Sequence, residues 1–266
     1  MPQARVGEIK MYYEVHGEGE PLLLIMGLGS DLTGWMFQTP ELSQKYRVVV
    51  FDNRGAGRTD APDVPYTIRM MADDTVGLMD VLGIDKAHVL GISMGGYIAQ
   101  EMAIKYPRRA RSLILVTTSA GPYLLETHIV TAWVEAALKG VSQKTFFQLM
   151  LPFIFTDKFF EDPDMVQMAV DMIAARSSAT PDHALVRQLM ACLEHDARGR
   201  LSQITVPTLV VAGQDDILVP FTLSQELAAG IPDARLVVLE GGGHGFNTDN
   251  PDRFNQAVLE FLAQVA

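Results

Sequence analysis

The chain has 266 residues and one cysteine, with 48% hydrophobic and 20% charged residues, the balance of an ordinary soluble globular protein. Its formal net charge of -11 and pI near 4.9 argue against nucleic acid and anionic membrane surfaces as partners. Cys192 has no partner for an intrachain disulfide, Met1 to Lys10 carry no apolar signal segment, and no apolar run is long enough to cross a bilayer, which together point to a cytoplasmic protein.

In chain order, residues Ala4 to Val15 alternate apolar and polar side chains and predict an edge hairpin ended by Gly17 and Gly19. The run Pro21 to Met26 is continuously apolar, as in a strand buried on both faces, and Gly27-Leu28-Gly29-Ser30 follows as a loop. Arg47 to Phe51 is a second buried strand, ending in the turn-rich Asp52-Asn53-Arg54-Gly55-Ala56-Gly57-Arg58. Ile68, Met71, Val76, Met79 and Leu82 fall near helical spacing, with Gly83 placed to cap the helix end. Ala87 to Leu90 is a buried strand, and Tyr97 to Ala103 a helix that Pro107 ends near Tyr106. Ser112 to Thr117 is another strand. Strands alternating with helices argue for a parallel, doubly wound α/β sheet.

The pattern changes between about Tyr123 and Arg200. No convincing strand appears, and amphipathic stretches at 132–138, 145–151, 165–175 and 184–193 are punctuated by Pro152, Pro163 and Pro181. These residues read as a helical cap (123–200) inserted into a core made of residues 1–122 and 201–266. Its methionines (Met150, Met165, Met168, Met172, Met190) mostly hold the cap together, and a minority face a pocket. Strands resume at Pro207 to Ala212 and Arg235 to Leu239, with a helix near 223–229 between them. Asn250 and Pro251 start a terminal helix with Phe254, Val258, Leu259 and Leu262 on its core stripe.

Between the strand at 87–90 and the following helix stands Gly91-Ile92-Ser93-Met94-Gly95-Gly96. Gly-x-Ser-x-Gly in a strand-turn-helix context is the pattern of a nucleophile elbow. Gly91 and Gly95 lack a Cβ, so the strand end and helix start can approach closely, and Ser93 is left at the sheet edge beside the Met94 amide. A serine hydroxyl needs a base in reach, and the base needs an orienting partner. The Asp215-Asp216 pair and His244, in Gly241-Gly242-Gly243-His244-Gly245, supply both types at the ends of later strands. In a parallel sheet those ends share one edge. His16, His88, His128, His183 and His195 lack such a setting, and the three in the cap read as solvated surface.

On these motifs the whole chain resembles the α/β-hydrolase superfamily, and within it the small bacterial carboxylesterases and enol-lactonases with helical caps. The resemblance implies a Ser93, Asp216 and His244 triad, the acid standing three residues after Gly213 and four before Pro220. It implies an oxyanion hole from the backbone amides of Leu28 and Met94. Met26 stands where the family usually has histidine before the glycine, which makes the pocket wall more apolar. Met26, Trp35 and Trp133 are the candidate pocket residues.

The expected function is therefore hydrolysis of carboxylic esters of small, largely apolar substrates through an acyl-enzyme, with no metal and no organic cofactor. A lactone hydrolase using the same triad is the alternative; an anionic substrate would need cap cations such as Lys139, Lys144, Arg176 or Arg187. Cleavage of a carbon-carbon bond and a non-catalytic binding module rank below these. A haloalkane dehalogenase would carry an acid where Ser93 stands.

Overall fold

The computed structural model describes residues 3–174 and 180–265. The chain enters through an antiparallel pair, β1 (Gln3–Val6) and β2 (Ile9–His16). Then come β3 (Glu20–Ile25), a 3-10 turn (Leu32–Trp35), the single-turn α1 (Thr39–Leu42), β4 (Tyr46–Phe51), α2 (Ile68–Val81), β5 (Ala87–Ile92), α3 (Met94–Lys105) and β6 (Ala110–Val116). Helices α4 (Leu124–Leu138), α5 (Gln143–Ile154), α6 (Asp157–Phe160), α7 (Pro163–Ala174) and α8 (Asp182–Glu194) follow, and a 3-10 stretch (Arg198–Gln203) leads back. The chain closes with β7 (Thr208–Gly213), α9 (Phe221–Gly230), β8 (Ala234–Leu239), the short α10 (Phe246–Asp249) and α11 (Pro251–Val265).

The eight strands form one sheet in the order β1-β2-β4-β3-β5-β6-β7-β8. From β4 through β8 every pair is parallel; the hairpin and the β2–β4 pair are antiparallel. Both faces are covered, so successive strand residues feed different cores. Leu23, Ile25 and Val89 join α2 and α3 on one face, while Leu22, Leu24 and Leu90 pack with Phe254, Val258 and Leu262 of α11 on the other. That is why these strands read as unbroken apolar runs rather than alternating ones.

The chain leaves β3 toward β4 on one side, and returns to form β5 on the other side of β3. The loops after β3 and β5 therefore diverge and leave a crevice at the C-terminal sheet edge, the position where open α/β sheets bind ligands.

Local signals explain the boundaries. Gly83, with φ +65°, ends α2 as expected, with Ile84 N–H donating to Met79 C=O and Gly83 N–H to Asp80 C=O. Asn250 Oδ1 accepts from Arg253 N–H at the start of α11. Pro152 does not break its helix, contrary to expectation: α5 runs on to Ile154, and the Phe155 N–H still reaches Leu151 C=O. The proline lies in the last turn, where only one backbone bond, to the Gln148 carbonyl, is forfeited.

Candidate active site

The site begins with strain. Ser93 has φ 54° and ψ -120°, one of only two non-glycine residues with positive φ among those described. Such a conformation costs on the order of 1–3 kcal/mol and persists only where its surroundings impose it. Here the Ser93 N–H donates to Val116 C=O of β6, and the Ser93 C=O accepts from Gly96 N–H at 2.8 Å. The turn closes only with glycine at two points. A Cβ on Gly91 would lie 2.1 Å from the Gly95 carbonyl oxygen, and one on Gly95 would lie 2.1 Å from that of Ile25.

The acid and base come from the ends of β7 and β8. His244 Nδ1 lies 2.9 Å from Asp216 Oδ2, and both residues are buried. The other Asp216 oxygen accepts from the Leu218 and Val219 N–H groups at 2.9 and 2.8 Å. These bonds lock the carboxylate so that one oxygen faces the ring. Asp215, by contrast, is exposed. Burial alone would push the His244 ring toward neutrality, but the Asp216 charge and hydrogen bond, with a further pull from Glu126, raise its pKa above the ordinary value.

Ser93 and His244 border the same cavity, about 370 Å³ in volume. No hydrogen bond joins Ser93 Oγ to the ring in this structure. Such bonds are commonly long before substrate arrives. Leu28 and Met94 border the cavity too, and among the described residues neither amide donates a hydrogen bond. Met94 is the first residue of α3, so its N–H belongs to the donor-rich end of a helix.

The Leu28 loop is held from both sides. The Met26 C=O accepts from Asn53 Nδ2 at 2.8 Å. Gly29 N–H donates to Gln188 Oε1 of α8, and Gln188 Nε2 donates in turn to the Arg54 C=O. One buried side-chain amide thus ties α8 to two loops of the sheet. Asp52 organises the second of these loops by accepting from the Leu32 and Arg58 N–H groups.

The remaining wall is mostly apolar. Met26, Trp133, Phe147, Met150, Ile154 and Met165 border the cavity, and Trp133 meets the rings of Phe146 and Phe153 edge-on. Trp35 does not. It is fully buried, its indole packed into the apolar core between the sheet and α11 instead of facing the cavity. Lys139, Lys144 and Arg187 do not border the cavity; Arg176 lies outside the described residues, as do the side chains of Met168 and Met172. The expectation of a solvated His195 is also wrong. It is buried, with its ring 4.5 Å from that of Tyr97 and Nδ1 3.5 Å from Glu101 Oε1.

Sequence reasoning missed Glu126, the one carboxyl among the described residues that border the cavity. It sits in the first turn of α4 on the same helix face as Val130, Trp133 and Ala137, all buried. An acid on a buried stripe was the available signal. Its carboxyl is raised in pKa by burial, against the opposing pull of His244.

A family model described as the alpha/beta hydrolase fold matches residues 20–251. The chain belongs to the α/β hydrolase fold family. RutD of Azorhizobium caulinodans, provisionally named a carbamate hydrolase, is 33% identical over 100% of this chain and 99% of its own length. The enol-lactonase of Burkholderia xenovorans LB400 superposes with a TM-score of 0.90 at 30% identity, covering 98% of this chain and 100% of that one. A thermophilic esterase from Thermogutta terrifontis, solved with malate bound, gives a TM-score of 0.90 at 29% identity over 100% of this chain and 99% of its own. Among the described residues no group of histidines, cysteines and acids could hold a metal ion, and no helix is long and apolar enough to cross a membrane.

Proposed function

We propose that this α/β hydrolase cleaves carboxylic esters of small, largely apolar substrates through an acyl-enzyme on Ser93. The observation that carries the reading is the Asp216–His244 pair, preset by two backbone amides, bordering the same cavity as a serine held in a strained elbow. His244, neutral on Nε2 because Asp216 holds the Nδ1 proton, removes the Ser93 proton as Oγ attacks the acyl carbonyl. The Leu28 and Met94 amides receive the oxyanion, a role for which their uncommitted N–H groups suit them. The imidazolium then protonates the leaving alkoxide. Water then attacks the acyl carbonyl while His244 takes its proton, and the acid departs as the Ser93 Oγ–acyl bond breaks and the imidazolium returns its proton to Oγ. Asp216 favours the charged ring throughout.

A lactone is an internal ester, and the same steps would open it. The likeness to an enol-lactonase supports keeping that second reading. Charge separates the two for anionic lactones: no lysine or arginine among the described residues borders the cavity, so a substrate carboxylate would find no partner there. A carbamate, the class in the name of the RutD relatives, offers the same kind of carbonyl. The test is labelling by a fluorophosphonate, followed by rates on short p-nitrophenyl esters, neutral lactones and carbamates. Labelling at Ser93 and fastest turnover of esters are expected. An unlabelled Ser93, or a Ser93→Ala protein that still hydrolyses esters, would overturn the reading.

A further inference from the structure

We infer that Thr118 is a positioning residue for the oxyanion hole: its hydroxyl holds the Ser93–Met94 peptide so that the Met94 N–H points into the cavity. This rests on the ester-hydrolase reading, in which that amide receives the oxyanion.

The Ser93 C=O and the Met94 N–H belong to one peptide unit. The unit is planar and trans, so the two groups point in opposite directions, and whatever fixes the oxygen aims the N–H. Thr118 Oγ1 donates to that oxygen at 2.9 Å. The oxygen also accepts from Gly96 N–H at 2.8 Å and from Tyr97 N–H at 3.3 Å, but both of those donors lie in α3 and move with it. Thr118 lies just past the end of β6, so its bond ties the peptide to the sheet. Thr118 is itself held. The Thr117 N–H donates to the Val211 C=O of β7, and the Thr118 C=O accepts from Ser224 Oγ of α9 at 3.3 Å. Thr117, with φ 41°, is the other non-glycine residue with positive φ among those described. One strained residue carries the nucleophile, and the other sets up the side chain that steadies its carbonyl. Gly96 admits the contact, because a Cβ there would lie 2.5 Å from Thr118 Cγ2 and 2.7 Å from Oγ1. Removing the hydroxyl leaves the Ser93 oxygen with its two α3 donors, so no buried acceptor is stranded. What is lost is the aim of the Met94 N–H, together with the polarisation that an accepted hydrogen bond lends to the amide as a donor.

The test compares Thr118→Ala with Thr118→Ser, two variants that differ only in the hydroxyl, on p-nitrophenyl butyrate. Working sites are counted by fluorophosphonate titration, so that kcat is read per site. Thr118→Ala should lower kcat about tenfold with KM within about twofold, less than the ~10² to 10³ of deleting an oxyanion donor outright. Thr118→Ser should stay within about threefold of the wild-type kcat. An alkyl trifluoromethyl ketone adds to Ser93 Oγ and places an oxyanion in the hole. Its Ki in the alanine variant should weaken by about the factor lost from kcat/KM. A merely structural role would lower the melting temperature or the fraction of working sites and leave the per-site kcat and the ketone Ki unchanged, and that result would overturn the inference. A serine variant as slow as the alanine one would overturn it too. Should the alanine variant not fold, Thr118→Val takes its place in the same comparison. Failure of wild-type Ser93 to label with a fluorophosphonate would sink the ester-hydrolase reading, whereas labelling there beside an alanine variant of unaltered kinetics sinks only the role of Thr118.

Discussion

Strand β5 has a histidine near its start and the strained serine just past its end. At the start, His88 Nδ1 lies 2.8 Å from Ser112 Oγ, and Nε2 lies 3.2 Å from Glu20 Oε2. A hydroxyl, an imidazole and a carboxylate therefore stand in a hydrogen-bonded row there as well. Yet His88 and Ser112 are fully buried, Ser112 lies within β6, and neither borders the cavity. Burial pushes the His88 ring below its usual pKa, against the pull of Glu20, so it rests neutral as a polar strut. At the other end the row is looser, but it has a chamber, a backbone held under strain and two spare amides. The difference teaches that the three residue types do not make a site. Access for a substrate and donors for its developing charge make one.

Experiments can break this contrast, beginning with the largest effect. Ser93→Ala should lower kcat by ~10⁶-fold, the scale of losing a triad nucleophile, with Tm unchanged in a thermal melt. Ser112→Ala should do the reverse: turnover intact, and about 1–3 kcal/mol lost in urea unfolding because His88 Nδ1 is left unpaired. Equal activity losses in the two would erase the distinction.

Asp216→Asn should cost ~10⁴-fold in kcat through loss of the correct ring tautomer, whereas Glu20→Gln should leave rates alone. The pH profile sharpens the same point. A base must be neutral to act, and the His244 pKa is raised. Activity should therefore climb with pH through a midpoint above the ~6.5 of a free imidazole. The asparagine variant should move any residual midpoint downward.

Gln188→Leu removes the bond to Gly29 N–H beside the Leu28 amide. About a tenfold fall in kcat with KM little changed is expected if that amide must be held in place. A rise in KM alone would assign Gln188 to binding instead.

The smallest effect concerns stability. Glu101 is buried; burial would raise its pKa, but the hydrogen bonds from Arg200 and His195 outweigh it and hold the carboxyl at about 2 against the usual 4.5. A depressed pKa means stability present above the unfolded value and lost as pH falls through the folded one. Unfolding free energy should therefore decline between pH 4.5 and about 2, and Glu101→Gln should flatten that stretch.

Much of this was legible in the chain. The parallel sheet follows from apolar runs at 21–26, 47–51, 87–90 and 207–212, because a strand covered on both faces has no polar side to show. Ser93 and His244 were nameable because each follows a strand end in a glycine-rich motif; the residues left Asp215 and Asp216 open, the family resemblance selected Asp216, and the structure brings all three to one sheet edge. The switch from strands to helices after residue 122 was equally visible in the prolines and the changed period. Trp35 was not placeable, since an aromatic after a loop can turn toward a cavity or under it with the same sequence. His195 hid because its partners, Tyr97 and Glu101, lie on a helix about a hundred positions away.

The order of apolar runs and glycine turns settled the sheet, its edge and the three groups gathered there, since backbone hydrogen bonding and burial leave few other ways to fold such a pattern. Tertiary packing alone settled the chamber's shape and charge: which residues of α4 to α8 face inward, that Glu126 is the one acid among the described ones, and that Gln188 ties α8 to the loop beneath. Those contacts join segments distant in the chain, and their identity depends on side-chain directions that no local periodicity encodes.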